Sequence, residues 1–121
     1  MSNDFLAEVA ATSNPEIKVI HLTGDLDEIS IESLQQTVDP IMADSSIKRI
    51  IFDFSGLRFI NSKGIGFLVA IHTHLSKDGR VLMLVGASEA VMDVITLVGL
   101  TTIIPYHNTV DEAVASSFVA H

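Results

Sequence analysis

IKRIIFDF, residues 47–54, is an apolar run rich in β-branched side chains, the pattern of a strand covered on both faces. Such strands belong to parallel sheets flanked by helices, and the sequence on either side supplies the helices. Downstream, after a loop from Ser55 to Ser62, a helix is predicted from Ser62 to about Lys77, with Gly79 as its C-terminal stop. Upstream, Ile31, Leu34, Val38 and Ile41 recur at helical spacing, which predicts a helix from about Ser30 to Ala43 with Ser30 as N-cap. Further out, Phe5 to Thr12 and Ile17 to Leu22 read as strands. The short link Ser13-Asn14-Pro15 makes them an antiparallel hairpin.

Toward the C-terminus, Val81 to Val85 is another buried strand, and Ser88 caps a helix that places Val91, Val94, Ile95 and Val98 on one face before Gly99 ends it. Thr101 to Ile104 is predicted as a short last strand closed by Pro105. Thr109 and Glu112 form a capping box for a final helix that buries Val110, Ala113, Val114 and Phe118. Strands alternating with helices give a single-domain α/β fold. Its sheet is mostly parallel, with an N-terminal antiparallel hairpin and helices packed on the sheet.

Composition narrows the function. At 121 residues and 48% hydrophobic, the chain has the size and apolar content of one packed domain. Fifteen acidic residues against seven basic ones give a net charge of -8, and Lys and Arg are nowhere clustered. Nucleic acid and anionic membrane surfaces are therefore poor partners, and a protein with a basic face is a better one. The absence of cysteine excludes disulfides, thiolate metal sites and cysteine nucleophiles. The longest apolar run, Ile65 to Ile71, is far short of the roughly 18 residues that span a bilayer. Met1 to Ala10 carries Asp4 and Glu8 and lacks the form of a signal peptide, so the expected compartment is cytoplasmic.

The loops that leave the C-terminal strand ends of a parallel sheet gather on one edge, so Gly24 to Glu28 and Ser55 to Ser62 are expected to be neighbours there. Ser62 stands at the start of its helix, where unpaired N–H groups and the positive end of the helix dipole would favour a phosphate. By the same position it reads as an N-cap, the commoner use of a serine there. Asp25 and Asp27 read either as partner-binding carboxylates or as acids that favour the next helix dipole. Gly64 and Gly66 cost helix propensity, so they imply close approach, by a partner backbone or by the neighbouring strand. They do not form a dinucleotide fingerprint, because its third glycine would fall at Val69. If Ile65, Leu68, Val69, His72 and Leu75 face the core, Phe67 points outward beside Lys63 and His74. It is then either a partner contact or covered by the final helix. The histidines do not converge, and no metal site is expected.

Two blocks carry a resemblance. Phe52-Asp53-Phe54-Ser55-Gly56-Leu57 followed by Phe59-Ile60-Asn61-Ser62-Lys63-Gly64-Ile65-Gly66 resembles the signature of the STAS family of sulphate transporter and anti-sigma factor antagonist domains. Gly24-Asp25-Leu26-Asp27 looks like the family's Gly-acidic-Leu-Asp element, and Ser88 to Gly99 with Leu100 resembles its later helix. The likeness in element order covers residues 5–118 as one STAS domain. It implies a cytoplasmic anti-sigma factor antagonist that captures an anti-sigma factor, itself a serine kinase, and so controls transcription. The resemblance further implies that the kinase phosphorylates Ser62, which ends binding, and that a serine phosphatase reverses the modification. Asp25, Asp27, Asn61, Ser62, Lys63, Gly64 and Phe67 are then the expected partner-binding residues.

The sequence departs from the family where the usual Asp before the serine is Asn61 and the small or hydroxyl residue after it is Lys63. Those changes either retune which kinase acts or remove phosphorylation. No G-x-S-x-G elbow, metal motif or P-loop is present, so no catalytic residues and no cofactor are expected. The alternative use of the same fold is as the STAS subunit of a lipid or anion transporter, or of a larger sensory assembly.

Overall fold

The computed structural model describes residues 5–117, so the expected burial of Phe118 lies outside the described residues. Its elements in chain order are β1 (Leu6–Ala11), β2 (Ile17–Leu26), α1 (Ile31–Ala43), β3 (Arg49–Ile60), α2 (Ser62–Ser76), β4 (Val81–Val85), α3 (Glu89–Leu97), β5 (Tyr106–His107) and α4 (Val110–Ala115). The strands form one sheet in the order β1-β2-β3-β4-β5. β1 and β2 are antiparallel and every other pair is parallel. The hairpin forms because Asn14 closes its turn: its side-chain oxygen accepts from Glu16 N–H at 2.9 Å and its carbonyl from Ile17 N–H at 3.0 Å.

β3 is the centre of the sheet, and its alternating side chains feed two cores. Ile50, Phe52 and Phe54 pack with Ile20 and Leu22 of β2 and Leu82 and Leu84 of β4, under Leu34, Leu68 and Ile95 of the first three helices. Ile51 faces the other way, with Val19, Met83 and Val85, and is covered by Ala113 of α4. The guanidinium of Arg49 fastens this second cover by donating to the carbonyls of Ala113 at 2.8 Å and Ser116 at 3.1 Å.

Four sequence expectations are corrected. The loops expected at 24–28 and 55–62 are largely strand: β2 continues to Leu26 and β3 to Ile60, paired as Gly24 with Leu57, Asp25 with Phe59 and Leu26 with Ile60. Leu57 and Ile60 are both 2% exposed, and burying them draws the chain back into the ladder. Register shifts beside this pairing absorb the polar residues that resemble a loop. Second, Thr101 to Ile104 is no strand. Gly99, at φ 76, turns the chain into a 3-10 turn over Leu100–Thr102 that buries Leu100 and Ile104, and the last strand follows Pro105. Third, α3 buries Val91 and Ile95, whereas Val98 is exposed.

Fourth, the core-facing stripe of α2 is Gly64, Leu68, Ile71 and Leu75, with Ile65, Val69 and His72 on its flank. The cause is Gly64. A Cβ there would stand 2.7 Å from the Leu26 carbonyl oxygen and 2.9 Å from Leu26 Cγ, so the missing side chain lets the first turn of α2 rest directly on the end of β2. Of the two close approaches considered for Gly64, the neighbouring strand is the one observed. A Cβ at Gly66 would meet nothing within 4 Å. In urea denaturation, Gly64→Ala is expected to destabilise the protein by about 1–3 kcal/mol through overpacking. Gly66→Ala, which adds helix propensity in open space, is expected to stabilise it by up to about 1 kcal/mol.

Candidate functional site

The C-terminal ends of β2 and β3 lie side by side, and the chain leaves each into a helix. Asn61 is the hinge between β3 and α2. It is extended, at φ -114 and ψ -175, and its side-chain oxygen accepts from the N–H groups of Lys63 at 3.0 Å and Gly64 at 3.1 Å. Its own N–H donates to the Leu26 carbonyl at 3.2 Å, which ties the start of α2 to the end of β2. Asn61 is therefore the N-cap, and Ser62 is the first residue of the helix, not its cap. Because the cap bonds go to Asn61, the exposed Ser62 hydroxyl is left out of them. Lys63 is exposed next to it.

Asn61 has a second use. Its side-chain N–H donates to Glu28 Oε2 at 2.8 Å, bridging to the turn between β2 and α1. That hydrogen bond is the main reason the Glu28 carboxyl is held below the usual carboxylate range, with the nearby Lys63 charge a smaller contribution. In the same turn Asp27 Oδ1 accepts from the N–H groups of Ile29 at 3.0 Å and Ser30 at 3.2 Å. Ser30, in helical conformation, does not cap α1 with its side chain as expected; its hydroxyl instead donates to the Asp25 carbonyl at 2.7 Å. Asp27 and Ser30 thus fix the turn. Asp25 lies on β2, where its carboxylate pairs with Arg58 Nε at 3.4 Å.

The structure brings Asp25, Asp27, Asn61, Ser62 and Lys63 to one corner, since Leu26 is paired with Ile60. Gly64 and Phe67 stand differently. Gly64 is buried. Phe67 is half-buried against the main core, which corrects its expected outward orientation, because the α2 stripe begins at Gly64 and carries Phe67 to the flank of the core. Sequence reasoning missed Glu28 and Arg58, together with Phe59 and Ile29, which are 50% and 70% exposed at the same corner. It also missed His21, whose Nδ1 lies 2.7 Å from Asp53 Oδ2. A groove of about 310 Å³ beside His21, floored by Val19 and Ala10 and walled by Val110 and Val114, includes none of the Ser62 corner. Among the described residues no cluster of acids and histidines could hold a metal, and no helix is long and apolar enough to cross a membrane.

Comparison with known proteins agrees with this architecture. A family model described as STAS domain matches residues 8–113. The chain belongs to the STAS domain family. Among solved structures, an anti-sigma factor antagonist from Mycobacterium paratuberculosis is 25% identical over 92% of each chain, with a TM-score of 0.82. The unphosphorylated form of the anti-sigma factor antagonist SpoIIAA is also 25% identical, over 91% of this chain and 92% of that chain, with a TM-score of 0.73. The murine anion transporter Slc26a9 shares the fold at 22% identity, with a TM-score of 0.71, but only 21% of its chain is covered.

The cap assignment is testable by thermal and urea unfolding. Asn61→Ala is expected to cost about 1–2 kcal/mol, whereas Asn61→Asp, which caps equally well, is expected to cost much less. Phe67→Ala is expected to lower stability by about 2 kcal/mol, below the value for a fully buried phenylalanine because the ring is half-covered.

Proposed function

We propose that this STAS domain is an anti-sigma factor antagonist whose binding is switched by phosphorylation of Ser62. The observation that carries this reading is the division of labour at the start of α2: Asn61 caps the helix, and the Ser62 hydroxyl is left exposed at its positive end. The relatives described as anti-sigma factor antagonists, aligned over more than nine tenths of both chains, support the same role. The partner is an anti-sigma factor that is also a serine kinase, and a serine phosphatase resets the switch. The cytoplasm is the compartment that such a role requires.

In the phosphorylation step, Ser62 Oγ forms a bond to the terminal phosphorus of a kinase-bound nucleoside triphosphate as the bridging P–O bond breaks. The nucleoside diphosphate leaves and the serine proton passes to a base of the kinase. The docking surface is the corner itself: Asp25, Asp27, Asn61 and Lys63 around Ser62, with Ile29 and Phe59 as exposed apolar contacts. Gly64 and Phe67 contribute from beneath, by seating α2 so that this corner is presented.

Phosphate brings about -1.5 to -2 charges to Ser62 at neutral pH. At about 5 Å and an effective dielectric of about 20, each unit charge facing an acid on the partner is worth roughly 3 kcal/mol. A factor of ten in affinity needs only about 1.4 kcal/mol, so even a screened repulsion is enough to release the partner. Lys63 offsets part of the charge. The test measures phosphate incorporation by the cognate kinase, mapped by mass spectrometry, together with affinity for that kinase. Unmodified protein and Ser62→Ala are expected to bind alike, and phosphorylated protein and Ser62→Asp at least about tenfold more weakly. Phosphate at another residue, or equal affinity of the modified and unmodified forms, overturns the reading.

A further inference from the structure

The bond from Asn61 to Glu28 has no part in capping α2, since the cap uses the oxygen of the Asn61 amide and this bond uses its nitrogen. Glu28 is exposed, and its side chain, which also accepts from its own backbone N–H, bridges from the turn before α1 to the N-cap of α2. Its neighbours in the turn are differently placed. Asp27 and Ser30 are committed to the turn backbone, and Asp25 is paired with Arg58. Asp25 and Arg58 form that ion pair with each other, so the charged side chain in contact with the residue next to Ser62 is Glu28, with Lys63 following on α2.

We propose that Glu28 is a positioning residue of the switch: phosphate on Ser62 displaces the Glu28 carboxylate from the Asn61 amide and takes that donor for itself. The inference rests on Ser62 being the phosphoacceptor. Its physical basis is that two anions, one of them bearing nearly two charges, are set against one side-chain amide on the residue next to the phosphate, and their mutual repulsion keeps them from sharing its two N–H groups. The phosphate makes the stronger charge-assisted bond. The displaced carboxylate is repelled by it and turns outward into solvent. Because Asp27 and Ser30 hold the backbone, the turn keeps its shape and only the Glu28 side chain changes place. The partner then meets two outward anions where the unmodified protein presents a carboxylate tied down to Asn61.

The experiment uses full-length protein with phosphoserine installed at position 62 by codon suppression, so that no kinase is needed. NMR follows the phosphorus resonance, the Glu28 carboxyl carbon and the Asn61 side-chain amide across pH. Phosphorylation is expected to raise the Glu28 carboxyl pKa, and the Asn61 amide shift is expected to follow the phosphate titration. Glu28→Gln is expected to lower the second phosphate pKa by about half a unit, since it removes a like charge. Glu32→Gln, in the first turn of α1, is expected to leave that pKa in place. A Glu28 titration unchanged by phosphate overturns the proposal, as does an equal effect of the Glu28 and Glu32 substitutions on the phosphate. Partner affinity measured on the same samples reports on the switch separately: phosphate without effect on binding defeats the proposed function, while the resonances still decide the place of Glu28.

Discussion

The Leu26 carbonyl is the point on which the functional corner rests. It accepts the Asn61 N–H at 3.2 Å, and it lies 2.7 Å from where a Cβ of residue 64 would stand. The first contact joins the end of β2 to the hinge into α2; the second requires glycine in the first turn of that helix. Together they set both the height and the rotation of α2 on the sheet. From that rotation follow the stripe Gly64, Leu68, Ile71 and Leu75 beneath, and the outward placement of Ser62 and Lys63 above.

Asparagine at position 61 serves this arrangement in a way aspartate cannot. Both residues cap a helix through a side-chain oxygen, but only the amide also carries N–H donors. Asn61 uses one to reach Glu28, so the carboxylate that the family pattern places before the serine is supplied here from the neighbouring turn. The two departures from that pattern then make joint sense. Lys63 adds a positive charge beside a corner that holds Glu28, Asp27 and Asp25, and it contributes to keeping Glu28 ionised.

Much of this was legible in the sequence, for reasons that differ by element. β4 and the lower part of β3 are buried on both faces, and α1 shows one clear apolar stripe, so composition and spacing alone place them. The upper ends of β2 and β3 were not legible, because Ser55, Gly56 and Arg58 have loop character and the pairing that recruits them depends on register shifts. β5 has two residues and no period to detect. The face of α2 was misread by one position because the helix is apolar around most of its circumference, and because a glycine gives no hydrophobic signal even where it marks the core. Ser62 and its neighbours were singled out as candidates through motif resemblance. Glu28 was not, since its partner is 33 residues away and only the strand register brings them together.

The switch proposed for Ser62 has to alter binding without endangering the fold, and the position of that residue separates the two. It is exposed and stands outside the cap bonds, so a phosphate there neither strips a buried group of its partner nor costs the helix its cap. The charge falls at the positive end of a helix, where an anion gains about 0.3–1 kcal/mol. Stability of the domain resides elsewhere, in Ile50, Ile51, Phe52 and Phe54 at 0% exposure and in the helices laid over them. A partner docked on the corner has no such indifference, because it must desolvate the phosphate or face it. The same charge is therefore tolerable within the molecule and decisive at its surface, which is the asymmetry that a phosphorylation switch on a binding module requires.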